Sequence, residues 1–257
     1  MKISVVTPSL NQGRFIGDAI ESVLAQDGSG EIEHIVVDGG STDATHDVLS
    51  QYTHLNLLRD QGLGQSHALN IGFRAATGQV IGWLNADDRY APGAFRAAMH
   101  AFTEHAEAGI VYGNARVIDE TGAFIDEIRP GHFDLERMLN GINPIPQPAV
   151  FIRAEILQRV GLLDESLHYV MDYELWLRAA RATRLLWIDA TLADFRKHQE
   201  SKTVSQTHAF WPEKRAVARA YGGPFFSEDW RLRALNRTYP RLLVASLLRR
   251  AVGGRER

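Results

Sequence analysis

The 257-residue chain has no cysteine. That excludes a disulfide framework, an iron–sulfur cluster and a thiolate zinc site. A reduced cytoplasm is the expected compartment. Long apolar runs are also missing: residues 242–248 fall far short of the ~20 that cross a bilayer. Residues 1–8 are too short and too broken for a signal peptide. These features point to a soluble protein, or one lying at the inner face of a membrane. No phosphate-cradling glycine fingerprint is complete. Residues 60–67 contain Gly62-Leu63-Gly64 without the third glycine of the dinucleotide motif, and no P-loop occurs. Neither charge sign dominates, the net being −3. With 45% apolar and 23% charged residues, the chain is neither disordered nor fibrous.

That small net charge conceals an asymmetry. From Asp229 onward eight arginines stand against two acids, so the C-terminal stretch is basic and the remainder acidic. Leucines 232, 235, 242, 243, 247 and 248 lie among those arginines. An amphipathic helix packed on the body, or on a second subunit as in a homodimer, competes here with peripheral contact at an anionic membrane surface. Nucleic acid is not expected as a partner.

The first half alternates strands with helices. Residues 3–7, 32–37, 54–58 and 80–84 read as strands. Residues 15–24, 41–49, 65–76 and 92–102 read as helices. Such alternation predicts parallel pairing with helices on both faces, and a ligand crevice beyond the strands' carboxyl ends. Asp38, Asp60 and the Asp87-Asp88 pair each follow a strand closely, so they should converge on that crevice. The second half predicts strands at 110–113, 149–152, 185–188 and 191–195, and a hairpin over 115–128. Helices are expected over 154–160 and 173–182. From about 210 the chain reads as helical, with a break near Gly222-Gly223-Pro224. The proline-rich segment 143–148 must be loop or extended chain.

Asn85-Ala86-Asp87-Asp88 is the strongest chemical signal. Adjacent carboxylates after a buried strand repel each other and resist desolvation, and Mg²⁺ or Mn²⁺ would relieve both. A solvated turn with one acid capping the next helix is the competing reading. Asp38-Gly39-Gly40-Ser41-Thr42-Asp43 is either a strand-to-helix turn or a place where backbone approaches a base or ribose. Asp172, at the start of an apolar helix, is either a cap or a general base. His198 follows a strand in Arg196-Lys197-His198.

Taken together the motifs are more specific. Residues 5–12, 36–43, 60–62, 68–73, 84–88 and 172–176 occur in an order that resembles the family 2 glycosyltransferases. The resemblance covers about residues 1–203. It implies a GT-A type α/β fold, with a mainly parallel nucleotide-binding sheet flanked by helices. Residues 1–113 would form the nucleotide-sugar half, 114–203 the acceptor and catalytic half, and 204–257 a helical extension, basic from 229. Thr7, Pro8, Ser9, Asn11, Asp38, Asp60, Gly64, Asn85 and Asp87 would then contact the donor. Asp88, Asp87 and His198 would hold Mn²⁺ or Mg²⁺, with Asp88 favoured as ligand and Asp87 nearer the ribose. Asp172 would be the catalytic base and Gln147 would face the acceptor.

The activity implied is inverting transfer from a nucleotide-diphosphate sugar, UDP-sugar favoured, to a hydroxyl of a glycan or lipid-linked acceptor. Surface polysaccharide or glycolipid assembly is the expected setting. A sugar-1-phosphate nucleotidyltransferase is the alternative enzyme, but residues 8–14 lack its glycine- and arginine-rich loop. A non-catalytic nucleotide-sugar-binding module is the alternative outside enzymes, opposed by Asp87, Asp88 and Asp172 together.

Overall fold

The computed structural model describes residues 1–27, 30–201 and 207–224. Four strands form its parallel edge in the order β3-β2-β1-β4. They are β1 (Ile3–Ser9), β2 (Ile32–Asp38), β3 (Asn56–Arg59) and β4 (Val80–Trp83). The helices between them are α1 (Ile16–Leu24), α2 (Thr45–Leu49) and α3 (Gln65–Ala75). β1 and β4 are buried along their whole length, as strands covered on both faces must be. Buried positions therefore run through them without alternation, the polar Ser4 and Thr7 of β1 included.

Beyond β4 the chain adds β5 (Arg89–Tyr90), α4 (Ala94–Glu104), β6 (Ala108–Ile118) and β7 (Phe124–Ile128), then α5 (Leu135–Leu139) and a 3₁₀ turn (Gln147–Ala149). It continues through β8 (Val150–Arg153), α6 (Ala154–Val160), α7 (Met171–Ala179), β9 (Arg184–Arg196) and α8 (Thr207–Ala220). β8 pairs antiparallel with both β4 and β6, while β9 runs parallel to β6 and antiparallel to β5. One mixed sheet thus joins the two halves.

The sheet's faces are filled by two large clusters. One packs α3 and α7 on β1, β2 and β8, with Leu69, Phe73, Trp176 and Tyr173 among its members. The other packs α1 and α4 on the opposite side, with Phe95, Phe102 and Phe151. Each fully buried large side chain contributes roughly 1.5–3 kcal/mol. α3 comes so close to β1 that a Cβ at Gly72 would lie 2.3 Å from Val6 Cγ1. Glycine there sets the helix-to-sheet distance.

Three differences from the sequence reading have physical causes. β9 is one strand where two were expected: Trp187 pairs with Tyr112 and Thr191 with Asn114, and residues 188–190 bridge the register shift between them as a bulge. β6 likewise absorbs Gly113 and Asn114 at a register shift. β5 is only two residues long and carries no periodicity, yet Arg89 opposite Asp194 makes it a strand. The expected hairpin is present as β6 and β7. The basic stretch from Asp229 lies outside the described residues. No helix among the described residues is long and apolar enough to cross a membrane.

Candidate active site

Register builds the site. Ser9 pairs with Asp38, so the ends of β1 and β2 stop at one level. Gly39 N donates to Ser9 O and Asp60 N donates to Asp38 O, both at 2.8 Å, which carries that level on to the end of β3. Leu84 N donates to Val6 O and brings the 85–88 loop alongside. The loops after all four parallel strands therefore open into one cavity of about 790 Å³. Its far walls come from the 143–147 loop, the approach to α7, the end of β9 and α8.

Pro8, Ser9, Asp60, Gly64, Asn85, Asp87, Asp88, Gln147, Asp172 and His198 all line this cavity. Thr7, Asn11 and Asp38 do not line it, each for a local reason. Thr7 is fully buried and its hydroxyl meets His34 Nε2 at 3.0 Å inside the sheet. Asn11 has φ 53°, and its side-chain oxygen accepts the Thr42 N–H at 2.8 Å, stapling the β1 loop to the β2 loop. Asp38 is spent on the turn, accepting the N–H groups of Gly40 and Ser41 at 3.1 Å and the Ser41 hydroxyl. That turn presents Gly39 to the cavity instead. Ser9 differs from all three: its hydroxyl is buried and has no hydrogen-bond partner.

The two adjacent aspartates have separate environments. Asp88 is 1% exposed, and one of its oxygens accepts the Arg196 N–H at 2.8 Å. The other has only a 3.4 Å contact with Asn85 Nδ2. Burial and the charge of Asp87 push the Asp88 carboxyl well above its usual range. Asp87 Oδ2 lies 3.1 Å from His198 Nε2. Arg196 bolts the loop in place: Nε donates to Asp87 O at 2.8 Å, one terminal nitrogen donates to Asp18 at 2.6 Å, and the other to the carbonyls of Asp119 and Glu120. Its guanidinium also sits over Phe15.

Asn85 is a hub. It accepts from Gln65 and from the Trp83 indole, and donates to Gln147 at 3.0 Å. Gln147 in turn donates to Trp83 O at 2.7 Å. Asp60 is buried, takes the Gln61 N–H and meets His67 Nδ1 at 2.7 Å. Asp172 sits in the first turn of α7 and accepts from Asn143 Nδ2 at 3.2 Å. Burial raises its carboxyl above the ordinary value, although Tyr173 N–H, Lys214 and Asn143 pull the other way.

Gln65, Asn143, Phe210, Trp211 and Lys214 are not among the residues expected from sequence, and all five line the cavity. Asn143 carried a signal, because prolines at 144, 146 and 148 stiffen the loop that presents it. The α8 residues carried none, since an aromatic in an amphipathic helix reads equally as core.

A divalent cation is a fair test of the Asp87–His198 region. Among the described residues no three His, Asp or Glu side chains form a metal cage. Magnesium-like ions shared with a diphosphate need only one or two protein ligands. Asp87, Asp88 and His198 line one cavity; the two carboxylates are hard oxygen donors of that kind, and the imidazole adds a borderline nitrogen donor. The residues present fit such an ion.

The architecture, a mixed curled sheet with its cavity at the ends of the parallel strands, is similar to that of the GT-A glycosyltransferases. Staphylococcus aureus TarS (residues 1–349) in complex with UDP-GlcNAc superposes with a TM-score of 0.68 at 20% identity, over 84% of this chain and 65% of that fragment. The mannosyltransferase PcManGT from Pyrobaculum calidifontis, in complex with GDP-Man and Mn²⁺, gives 0.61 at 18% identity, over 98% of this chain and 79% of that one. Residues 4–161 match the family described as Glycosyl transferase family 2, and the chain belongs to that family. An uncharacterized glycosyltransferase of Rickettsia bellii is 28% identical over 227 residues, which is 81% of this chain. The chain spans about a third of that relative, 32% of its length.

Proposed function

We propose that this chain is an inverting, metal-dependent glycosyltransferase. It would move a sugar from a nucleoside-diphosphate donor to a hydroxyl of a glycan or lipid-linked acceptor. The observation that carries this reading is the single cavity lined by Ser9, Asp60, Asp87, Asp88, His198 and Asp172. UDP is the favoured nucleotide, in keeping with the UDP-GlcNAc bound by TarS.

Each residue has a task in that reading. Ser9, with its unpaired hydroxyl, and Asp60 take the nucleoside end. Asp38 acts indirectly, by holding the turn that lets Gly39 form part of the wall. Asp87, Asp88 and His198 would hold Mn²⁺ or Mg²⁺. When bound, the ion neutralises charge on the diphosphate as it departs. The Asn85–Gln147 pair fixes the width of the cavity between the 85–88 loop and the 143–147 loop. Asp172 takes the proton of the acceptor hydroxyl, its carboxylate aimed by Asn143. One in-line displacement inverts the anomeric centre and requires no enzyme nucleophile.

The division into a nucleotide half (1–113), an acceptor half (114–203) and a helical extension (204–257) belongs to this proposal. So do surface polysaccharide or glycolipid assembly, cytoplasmic location, a basic C-terminal contact with an anionic membrane, and a homodimer. These rest on the family and on charge.

Thermal unfolding with UDP, GDP, dTDP or CMP, each with and without Mn²⁺, tests the donor site. A nucleotide at 100 times its Kd adds about 2.7 kcal/mol to stability. At about 2–4 °C per kcal/mol for a chain of this size, the midpoint rises by several degrees. One nucleoside diphosphate, most strongly with Mn²⁺, should give that rise. No rise with any of the four would refute the donor site.

A further inference from the structure

Helix α8 lies outside residues 4–161, the part of the chain that matches the family. It nevertheless reaches the approach to the proposed base. Glu213 on α8 accepts three consecutive backbone N–H groups. Oε1 takes His168 N at 2.8 Å, while Oε2 takes Tyr169 N at 2.7 Å and Val170 N at 3.0 Å. Val170 is the N-cap of α7, and no side chain of its own caps that helix. Asp172 follows two residues later.

We propose that Glu213 is the positioning residue for Asp172. It locks the 168–170 segment, and with it the first turn of α7, in the orientation that points the Asp172 carboxylate into the cavity. This inference rests on the reading of Asp172 as general base. Successive backbone N–H groups turned to one side make an anion-holding concavity. A carboxylate with three charge-assisted hydrogen bonds is a strong tie. Asn143 orients only the Asp172 oxygen, through a single bond of 3.2 Å. Glu213 orients the backbone that carries it.

Helix α8 does not depend on this contact to stay in place. Val217 and Ala218 are buried in the main core cluster. Tyr221, just beyond the helix end, donates its hydroxyl to Glu174 in the middle of α7. Replacing Glu213 should therefore free the 168–170 segment while α8 remains docked. Tyr221→Phe loosens the other attachment and leaves the Glu213 contacts intact.

The experiment compares wild type, Glu213→Ala, Glu213→Gln and Tyr221→Phe in the full chain. UDP release from UDP-GlcNAc is followed with a panel of p-nitrophenyl glycosides as acceptors, beside UDP affinity by calorimetry and amide hydrogen exchange over 168–172. Glu213→Ala is expected to lower kcat about 100-fold, the scale of a misplaced catalytic group. UDP affinity should stay within twofold, and amides 168–170 should lose protection. Glu213→Gln, which keeps one carbonyl oxygen, should fall between. Tyr221→Phe should keep wild-type kcat.

An unchanged kcat in Glu213→Ala would overturn the proposal. So would a UDP affinity that falls in parallel with kcat, or an equal loss of kcat in Tyr221→Phe. If wild type binds UDP but transfers to none of the acceptors, the acceptor class is wrong and Glu213 is not at fault. Exchange at 168–170 still decides whether Glu213 holds the segment, and unchanged protection there refutes it.

Discussion

Asp172→Asn separates chemistry from folding. The substitution keeps shape and leaves an oxygen to accept from Asn143, but removes basicity. Loss of a general base costs about 10²–10⁴ in rate, or roughly 3–5 kcal/mol of barrier. Stability should move the other way. Because burial raises the Asp172 carboxyl, the fold opposes its charge, and a neutral amide removes that penalty. The sign over pH follows. A carboxyl raised in the native state adds stability below its unfolded value, and loses that contribution as pH rises through its native value. At neutral pH the variant should melt at the wild-type temperature or above, and the gap should close or reverse as pH falls below 4.

The assay pairs transfer rate against pH with melting temperature against pH. Wild-type kcat/KM should fall on the acid side at a pH above the ordinary carboxylate range, and the residual activity of the variant should lack that limb. A variant that retains more than a tenth of wild-type activity would refute the base assignment. So would equal losses of transfer and of UDP binding.

Three further outcomes follow from the geometry. Gly72→Ala should cost about 1–3 kcal/mol, read as a lower urea midpoint at unchanged slope, because its Cβ would lie 2.3 Å from Val6 Cγ1. An unchanged midpoint would show that α3 shifts freely. His34 is buried beside Thr7 and held neutral, its ring pushed down to about 3 by burial. Below pH ~6.5 the unfolded chain takes a proton that the native ring refuses, so stability should fall by about 1.4 kcal/mol per pH unit on that account; a His34→Gln curve parallel to wild type would refute it. Asp87→Asn combined with His198→Ala should abolish the Mn²⁺-dependent part of UDP stabilisation while the ligand-free protein melts near the wild-type temperature. Full retention of the Mn²⁺ effect would remove both residues from the cation site.

How legible the molecule was in its sequence depended on range. Strands buried on both faces, such as 3–7 and 80–84, announce themselves as apolar runs bounded by turn residues. The helix over 154–160 was read to the residue, since its apolar spacing and following Gly161 mark both ends. Asp60, Asp87 and Asp88 could be placed at a crevice because parallel topology puts strand ends there. Long-range pairing was not legible. Nothing local tells Asp189 and Ala190 to continue a strand; that decision belongs to β6 alongside. The same limit explains Thr7 and Asn11. Both lie within a motif, but Thr7 faces His34 inside the sheet and Asn11 faces Thr42. Only the tertiary neighbour reveals which side of the backbone each serves. Glu213 shows the limit most plainly, as an acid on a helix surface whose partners lie more than forty residues earlier.

Arg196 carries a consequence for the timing of assembly. It ends β9, yet its backbone N–H holds Asp88 and its guanidinium holds the Asp87 carbonyl and Asp18. The carboxylate loop is thus shaped by a residue made more than a hundred positions after it. During synthesis, β1 to β4 emerge first and lack the piece that holds the 85–88 loop. A nascent chain stopped at residue 161 would contain every residue of the family match and still hold no finished loop. Arg196 works as a late latch, tying the shape of the Asp87-Asp88 loop to the arrival of β9.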